Sequence, residues 1–314
     1  MSERINLAVL VGPTAVGKTD ISIKLAKELN AEIISADSMQ IYKNMNIGTA
    51  KIKENEKNGI KHYLIDEVTP DEDFSASDFQ TRAKKHIKEI TKRGKLPFVV
   101  GGTGLYVNSL VYNLDFTNAV TNWELRDKLR KEAEEFGNNY LKDKLKKVDP
   151  KSADKIHIND TKRLIRALEV YYETGKPMSY YNKKFREPNR DYNLAFIGLY
   201  MERKKLYERI NKRVDLMIEE GLIEEVKKLL YMGYDKKLAS LQGLGYKEII
   251  KYLNEEYTYE EAIRILKRDS RRFAKRQLTW FKRDKRIHWI NVDDYSNRDE
   301  IINTIITYIN DTFK

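Results

Sequence analysis

A strand-like apolar run leads directly into a glycine loop in the stretch Leu7-Ala8-Val9-Leu10-Val11-Gly12-Pro13-Thr14-Ala15-Val16-Gly17-Lys18-Thr19. The loop has the spacing G-x-x-x-x-G-K-T and opens a helix. Its glycines let successive backbone N–H groups point inward, and the helix N-terminus adds its positive end. We therefore predict that residues 12–19 hold a phosphate group, with Lys18 as a mobile charge and the Thr19 hydroxyl as a ligand of Mg²⁺. The pattern does not distinguish one phosphate compound from another.

The rest of the chain alternates in a way that sets the fold class. Apolar runs at 31–36, 96–100 and 193–200 predict strands, and helical spacing appears at 18–29 and 79–91. This rhythm predicts an α/β fold with a parallel sheet flanked by helices. Residues 115–192 are charged and helical, so we predict a helical insertion domain between the two halves of the catalytic core, 1–114 and 193–314. From residue 204 onward the core is predicted to be largely helical, with a last strand at 287–292.

Composition narrows the class of protein. The 314 residues include no cysteine, which excludes disulfides and thiolate metal sites and fits a cytoplasmic location. No run of about eighteen apolar residues occurs, so we expect no membrane contact. The net charge is +11, and eleven basic residues against two acidic ones lie between Arg264 and Arg286. That concentration predicts a helix that binds a polyanion rather than a simple core helix. We expect a monomer.

Polar residues follow two of the predicted strands. Asp37 follows the second strand, where a carboxylate beside a phosphate serves as a Mg²⁺ partner or a general base. The loop at 101–104 follows the third strand and brings the Thr103 hydroxyl to the same cleft. Such a glycine loop is usually found in an ATPase, GTPase or kinase. These enzymes also need a carboxylate at the end of a buried strand to hold Mg²⁺. The best candidate, Asp66, follows only three apolar positions and His62, so that signature is incomplete.

Five further motifs follow the glycine loop along the chain. They are Asp37-Ser38-Met39-Gln40-Ile41-Tyr42, Asn46-Ile47-Gly48-Thr49-Ala50-Lys51, Gly101-Gly102-Thr103-Gly104-Leu105-Tyr106, Arg166-Ala167-Leu168-Glu169-Val170 and Gly243-Leu244-Gly245-Tyr246-Lys247. With these motifs the chain resembles the bacterial tRNA dimethylallyltransferase family, also called the tRNA isopentenyltransferases. The resemblance extends from residue 12 to beyond 280. No cysteine/histidine finger follows the core, which is the bacterial pattern.

The resemblance implies an unusual use of the glycine loop. It would grip the pyrophosphate of dimethylallyl diphosphate instead of ATP, and the dimethylallyl group would pass to N6 of the adenosine immediately after the tRNA anticodon, giving N6-isopentenyladenosine. The implied catalytic residues are Lys18, Thr19, Asp37, Thr103 and Arg213. Asp37 would be the general base, while the loop, Mg²⁺ and Arg213 would stabilise the leaving pyrophosphate. Arg209 remains an alternative to Arg213.

The resemblance also implies contacts with the anticodon stem-loop of tRNA. These are expected at Asp37, Ser38, Met39, Gln40, Thr103, Arg126, Lys162, Arg163, Leu164, Ile165, Arg166, Gln242, Gly243, Leu244, Gly245, Tyr246 and Lys247. Gln40 would read an adenine edge, and Lys162, Arg163 and Arg166 would hold backbone phosphates. Lys162 stands where many relatives carry glutamine. The alternative for Lys162 and Arg166 is the exposed side of a helix that buries its apolar stripe.

Two other functions remain open at this level. The leading hypothesis is a tRNA prenyltransferase. The first alternative is a prenyltransferase that acts on free adenine nucleotides, and such an enzyme should lack the helical insertion and the basic helix. The third possibility is a nucleotide hydrolase or kinase of the glycine-loop class, coupled to nucleic acid. It requires the second carboxylate strand that residues 63–67 do not supply.

Overall fold

The computed structural model describes residues 4–114, 122–181 and 187–314. They form two compact units. The first unit joins Met1–Val111 with Arg190–Lys314, and the second is Tyr112–Asn189. The predicted limits of the insertion were 115 and 192.

The first unit is built on a six-stranded sheet in which every pairing is parallel. The strands are β1 (Ile5–Val11), β2 (Ala31–Ala36), β3 (His62–Tyr63), β4 (Leu96–Gly101), β5 (Tyr192–Tyr200) and β6 (His288–Asn291), in the order β3-β2-β4-β1-β5-β6. Residues 7–11 of β1 are completely buried, as expected for a central strand of a sheet covered on both faces. The predicted α/β class with a parallel sheet is confirmed.

Helices connect and cover these strands. In the first unit they are α1 (Lys18–Glu28), α2 (Ala76–Lys92), α3 (Gly104–Val111), α8 (Arg203–Glu219), α9 (Leu222–Tyr231), α10 (Tyr246–Leu253), α11 (Tyr259–Phe281) and α12 (Arg298–Phe313). One core cluster joins α1, α8 and α12 to the sheet through Leu10, Leu25, Ile197, Leu206 and Ile305. Helix α3 was not predicted, because its eight residues are almost all apolar and show no helical period.

The second unit is helical. It contains α4 (Trp123–Val148), α5 (Pro150–Lys155), α6 (Thr161–Thr174) and α7 (Met178–Tyr181). Gly137, with φ 79° and ψ 167°, interrupts α4 and divides it into two helical segments, which agree with the two helices predicted at 122–136 and 139–147. Asp160 caps α6 by accepting a hydrogen bond from the Arg163 N–H, as predicted. Over the ranges described in both units, no helix is long and apolar enough to cross a bilayer.

Three loops meet at the carboxyl edge of the sheet, since β1, β2 and β4 are neighbours. Residues 12–17 follow β1, residues 37–40 follow β2 and residues 102–103 follow β4. The fit between the last two is tight. A Cβ on Gly101 would lie 2.2 Å from the Ala36 carbonyl oxygen, and the Thr103 N–H donates to that oxygen at 3.0 Å. This edge is where ligands of open parallel sheets bind.

Candidate active site

The glycine loop is held in a curled conformation. Gly17 has φ 101° where α1 begins, a value that L side chains disfavour. A Cβ on Gly12 would lie 2.7 Å from the carbonyl oxygen of Leu199, so only glycine fits there. Lys18 folds back along the loop, and its Nζ donates to the carbonyl oxygens of Gly12 at 3.0 Å and Pro13 at 2.8 Å. The loop and its lysine are therefore organised before any ligand binds.

Lys18 and Arg213 bring two half-buried basic side chains to this loop. Burial, together with the charge of Arg213, lowers the pKa of Lys18 to about 7, against the opposing effect of Asp37. Burial likewise lowers the pKa of Arg213, again opposed by Asp37. In the parts of the chain that are described, no hydrogen bond or ion pair engages the Arg213 guanidinium. Two desolvated cations with one nearby carboxylate form a site that favours a bound anion.

Arg209 and Arg213 differ in their surroundings. Arg209 is exposed and interacts with the carboxylate of Asp293, which it shares with Lys205. Arg213 is half-buried and interacts with Asp37. Both line the cavity over the glycine loop. Arg213 is thus the more shielded of the two from solvent and the one that lies near Asp37.

Asp37 is oriented by its own backbone. Its Oδ1 accepts from the N–H groups of Met39 at 2.9 Å and Gln40 at 3.4 Å. The Thr103 hydroxyl accepts from the Ser38 N–H at 3.0 Å and donates to the Ser38 hydroxyl at 3.3 Å, so the two loops are tied together. No hydrogen bond from a described residue reaches the second oxygen, Oδ2. Asp37 therefore presents one free carboxylate oxygen.

Two cavities adjoin at Asp37. The first, of about 460 Å³, includes Lys18 and Thr19 in its lining, and the second, of about 330 Å³, includes Ser38, Met39 and Thr103. The lining that both cavities share consists of Thr14, Asp37, Thr49, Arg213 and Phe273. Lys18 and Thr19 of the glycine loop thus face the first chamber, Ser38 and Met39 face the second, and the Asp37 carboxylate and Arg213 lie where the two chambers adjoin.

The predicted tRNA contacts of the first unit divide into open and closed positions. Those lining the second cavity are Asp37, Ser38, Met39, Thr103, Gln242, Gly243, Leu244, Gly245 and Lys247. Gln40 faces the first cavity, and its amide is already bonded to the Ser35 hydroxyl and to the carbonyl of Thr49. Tyr246 is 0% exposed, so its side chain is not available to RNA.

The predicted contacts of the second unit divide in the same way. Lys162 and Arg163 are exposed on α6, whereas Leu164 and Ile165 belong to the apolar core of this unit and present no side chain to RNA. Arg126 and Arg166 both pair with the buried carboxylate of Glu169. Their charges are therefore partly neutralised within the unit.

Gln277 is a site residue that the sequence did not indicate. It lies on α11, is 6% exposed, accepts from the Thr14 N–H at 2.9 Å and donates to the Gly102 carbonyl at 3.0 Å. A Cβ on Gly102 would lie 2.2 Å from its Nε2, which explains the glycine there. One glutamine thus ties the first glycine loop to the second. Among so many basic residues on the same helix, no local pattern marks it.

Glu225 is a second residue that the sequence did not indicate. From the first turn of α9 its carboxylate accepts the backbone N–H groups of Asn46, Ile47 and Gly48 at 2.8, 2.8 and 3.1 Å. It also accepts the Tyr246 hydroxyl at 2.7 Å. The I-G-T-A-K motif and the G-L-G-Y motif are therefore joined by one half-buried carboxylate, that of Glu225. Tyr246 acts in positioning these loops.

The carboxylate that a nucleotide hydrolase would need is engaged elsewhere. Asp66 has φ 56° in the turn after β3 and pairs with the Nζ of Lys51 at 2.5 Å. It is not among the residues that line either cavity. Over the described ranges, no three carboxylate or histidine side chains cluster as a metal-binding set. The geometry thus departs from that of an ordinary hydrolase of this loop class.

Helix α11 is both a core helix and a helix with a basic surface, the two interpretations that the sequence offered for it. Its buried stripe is Ala262, Ile265, Leu266, Ala274, Gln277 and Phe281. Several of its basic residues are paired, among them Lys267 with Asp215 at 2.5 Å and Arg268 with Asp269 at 2.8 Å. Arg276 reaches the lining of the second cavity. The helix is a core element that also carries a basic face.

A sequence model described as IPP transferase matches residues 40–284, more than half of the chain. The chain belongs to the IPP transferase family. The resemblance found in the motifs is confirmed, and the match begins at Gln40 and includes the helical unit and α11.

Relatives of this family member match over nearly their whole length. A tRNA dimethylallyltransferase of Clostridioides difficile is 59% identical over 312 residues, covering 99% of this chain and 100% of the relative. That of Acetivibrio thermocellus is 57% identical over 304 residues, covering 97% of each.

Solved structures of the IPP transferase family agree with the fold. The full-length tRNA isopentenylpyrophosphate transferase of Bacillus halodurans aligns with a TM-score of 0.71 at 47% identity and covers 98% of both chains. A eukaryotic dimethylallyltransferase acting on tRNA aligns with a TM-score of 0.80 at 31% identity, covering 96% of this chain and 79% of the eukaryotic one. The wider architecture is therefore that of tRNA-modifying transferases.

Proposed function

We propose that this chain transfers the dimethylallyl group of dimethylallyl diphosphate to N6 of the adenosine immediately after the anticodon of tRNA, giving N6-isopentenyladenosine. The observation that carries this proposal is the junction of two cavities at Asp37 and Arg213. A transfer reaction needs a donor chamber, an acceptor chamber and its reacting groups between them. The names of relatives at 57% and 59% identity support the choice of substrates.

The donor chamber is the cavity over the glycine loop. Its backbone N–H groups, Lys18 and Arg213 would hold the diphosphate, and they would stabilise the negative charge that grows as the pyrophosphate leaves. Because the pKa of Lys18 is lowered to about 7 without ligand, an added anion would favour its charged form. The glycine loop, which binds ATP in many other proteins, would here bind the pyrophosphate that leaves the dimethylallyl group.

The acceptor chamber is the second cavity, and Asp37 lies where this cavity adjoins the donor chamber. The adenine amino group is a weak nucleophile because its lone pair is delocalised into the ring. As the N6–C1 bond forms and the C1–O bond breaks, Asp37 Oδ2 would accept the N6 proton, and the pyrophosphate would leave with the electron pair. The target base must leave its stack to reach this position, which a chamber of about 330 Å³ lined by three loops accommodates.

Thr19 is the residue proposed to hold Mg²⁺. No described residue hydrogen-bonds to its hydroxyl, and it lines the donor chamber beside Lys18. Mg²⁺ takes few protein ligands and completes its shell with phosphate oxygens and water, so the absence of a carboxylate cluster among the described residues is compatible with it. When bound, the ion would neutralise charge on the diphosphate.

Two structural features argue against the other functions. Asp66, the best candidate for a second metal-holding carboxylate, is paired with Lys51 outside both chambers. A helical unit of 112–189 and a basic α11 are both present, and an enzyme for free adenine nucleotides needs neither. A large polyanionic acceptor fits the molecule better.

The test is incubation with unmodified tRNA and isotopically labelled dimethylallyl diphosphate, followed by digestion and nucleoside analysis. We expect the label in N6-isopentenyladenosine at the position after the anticodon. Adenosine monophosphate replaces tRNA as acceptor in a parallel reaction, and ATP replaces the prenyl donor in another. Faster prenylation of the mononucleotide, or steady ATP hydrolysis without RNA product, would overturn the proposal.

A further inference from the structure

Helix α8 presents a different side to each of the two chambers. Its residues that line only the donor chamber are Arg209, Lys212 and Leu216. Its residues that line only the acceptor chamber are Ile210, Val214 and Met217. Arg213 lines both chambers. The side of α8 toward the donor chamber is therefore mainly charged, the side toward the acceptor chamber is apolar, and the guanidinium assigned to the pyrophosphate lies at the boundary between them.

Helix α11 runs alongside α8 in the opposite direction. Two polar pairs join the helices, Asn211 with Arg271 at 2.6 Å and Asp215 with Lys267 at 2.5 Å. A step of four residues forward along α8 thus corresponds to a step of four residues backward along α11. The stretch 210–216 of α8 therefore lies beside the stretch 266–272 of α11.

The acceptor chamber consequently contains an apolar recess between the two helices. On α11 it is lined by Leu266 and Phe273, with Ser270 as the polar exception. Phe273 lines the donor chamber as well, so it lies at the end of the recess that adjoins the junction of the chambers. On α8, Met217 lies four residues beyond Arg213, which is about 6 Å along the helix axis. Met217 and Leu266 line only the acceptor chamber and thus lie at the far end of the recess.

The position of the reacting carbon leaves two places for the dimethylallyl group. C1 has to reach both the leaving oxygen and the N6 atom that Asp37 would deprotonate, so it must lie where the two chambers adjoin. On the donor side, the carbon chain would compete with the diphosphate and lie among the charged side chains of Arg209 and Lys212. In the recess, the same chain would be removed from water against apolar side chains. Burial of apolar surface favours the recess.

We propose that the recess between α8 and α11 receives the dimethylallyl group, and that Met217 and Leu266 at its far end restrict the prenyl donor to five carbons. The inference rests on the proposed function, because it assigns a substrate specificity to the same site. Leu266 is 2% exposed, whereas Met217 is half-buried and presents part of its side chain to the cavity. A ten-carbon chain would collide with these side chains, and a closely packed interior does not yield the room. Its C1 would then be held away from N6.

Removal of the far wall in Met217→Ala should admit a longer chain. Geranyl diphosphate, the ten-carbon homologue, and dimethylallyl diphosphate compete for the same unmodified tRNA, and the N6-substituted nucleosides are quantified after digestion. The ratio of kcat/KM for the ten-carbon donor to that for the five-carbon donor should rise about 10- to 100-fold, as expected for a change of a few methylene groups in an apolar pocket. An unchanged ratio would overturn the proposal.

Leu216→Ala is the matched control. Leu216 is the neighbour of Met217 on α8, and it lines only the donor chamber. It is 47% exposed, so its truncation opens space on the other side of Arg213 without disturbing the core. The ratio of the two donors should stay at the value of the unmodified protein. A rise in Leu216→Ala that Met217→Ala does not show would place the prenyl chain in the donor chamber and contradict the recess.

Met217→Phe tests the same wall in the opposite direction and covers the case in which Met217→Ala does not fold. The larger side chain should shorten the recess and raise the KM for dimethylallyl diphosphate about tenfold. The inhibition constant of pyrophosphate in the same assay should not change, since pyrophosphate has no carbon chain. Equal changes in the two constants, or no change in either, would overturn the proposal. Failure of the proposed function would look different, because the unmodified protein would then form no N6-isopentenyladenosine at all.

Discussion

Each unit of the molecule contains a carboxylate with two cations, and the two groups are arranged in opposite ways. In the helical unit, Glu169 is 0% exposed and accepts Arg126 Nε at 2.8 Å, Arg126 Nη2 at 3.0 Å and the Arg166 guanidinium. At the sheet edge, Asp37 forms no ion pair with Lys18 or Arg213, although it acts on the pKa of both. The first group is closed and the second is open to a cavity.

The pKa directions show what this difference means. Burial alone would raise the pKa of Glu169, but the hydrogen bonds from Arg126 and Arg166 hold it below the usual range. Lys18 and Arg213 instead have pKa values lowered by burial, and within the described residues neither forms an ion pair that compensates. The paired charges around Glu169 stabilise the fold. Lys18 and Arg213, which are desolvated and not ion-paired among the described residues, would instead interact favourably with an anion that binds between them.

The most severe test of the open group is removal of its carboxylate in Asp37→Asn. We expect turnover to fall about 10²- to 10⁴-fold, because the amide cannot accept the N6 proton. Binding of pyrophosphate should be equal or tighter, since the opposing charge is gone. Single-turnover rates and calorimetry measure the two effects separately. Near-normal turnover would remove Asp37 from the role of base.

Arg213→Met, compared with Arg209→Met, tests whether burial decides which arginine serves the pyrophosphate. Loss of Arg213, which is half-buried and unpaired among the described residues, should lower kcat about 10²- to 10³-fold, as expected for loss of a charge-stabilising donor in a desolvated site. The exposed Arg209 should have an effect of about threefold or less. Equal losses at the two positions would contradict the assignment.

Sequence patterns located the open group well, because each member follows a strand or lies in a motif with local spacing. Lys18, Asp37 and Thr103 stand at the carboxyl ends of three strands that proved to be neighbours. Gln277 and Glu225 were not foreseen, since their partners lie 263 and 178 residues away in the chain, at Thr14 and Ile47. Such contacts arise from packing, and no short window of sequence records them.

The closed group shows the opposite limit. Arg126 and Arg166 were predicted as tRNA contacts from the family resemblance alone, and their shared partner Glu169 lies in the same motif as Arg166. Periodicity correctly placed Leu164, Ile165 and Leu168 in a buried stripe, yet Glu169 is buried too. The identity of a buried charge follows from a partner on another helix, here α4, which local spacing cannot specify.

Gln277→Leu tests whether the open group depends on its neutral bridge. The Thr14 N–H and the Gly102 carbonyl would lose their partner, so the two loops would shift relative to each other. We expect kcat/KM for dimethylallyl diphosphate to fall about 10- to 100-fold, the range expected for slight misplacement of reacting groups. Gln277→Glu, which can accept from Thr14 but cannot donate to Gly102, should recover part of the activity. Equal loss in both variants would indicate a defect in folding only.

Arg166→Ala, compared with Lys162→Ala, tests the closed group. Loss of Arg166 leaves Glu169 with one cation, so the free energy of unfolding should fall by about 2 kcal/mol. Lys162 is exposed and unpaired within the described structure, so its loss should lower only the affinity for tRNA and its salt slope by about one. Thermal denaturation and binding at several salt concentrations separate the two effects. A destabilised Lys162→Ala would reverse the interpretation.

The smallest effect concerns protons at the open group. Because the pKa of Lys18 is about 7 without ligand, this lysine is mostly neutral at pH 8, and a bound pyrophosphate should raise its pKa and charge it. Binding at pH 8 should therefore take up nearly one more proton in the unmodified protein than in Lys18→Met, which also cancels the contribution of pyrophosphate itself. At pH 6 the lysine is already charged, so the difference should vanish. Calorimetry in two buffers of different ionisation enthalpy measures the uptake.

In Asp37→Asn the loss of the opposing carboxylate should lower the pKa of Lys18 further, so that uptake begins at lower pH. If the onset stays where it is, Asp37 does not act on Lys18, and the contrast with the closed group loses its electrostatic basis.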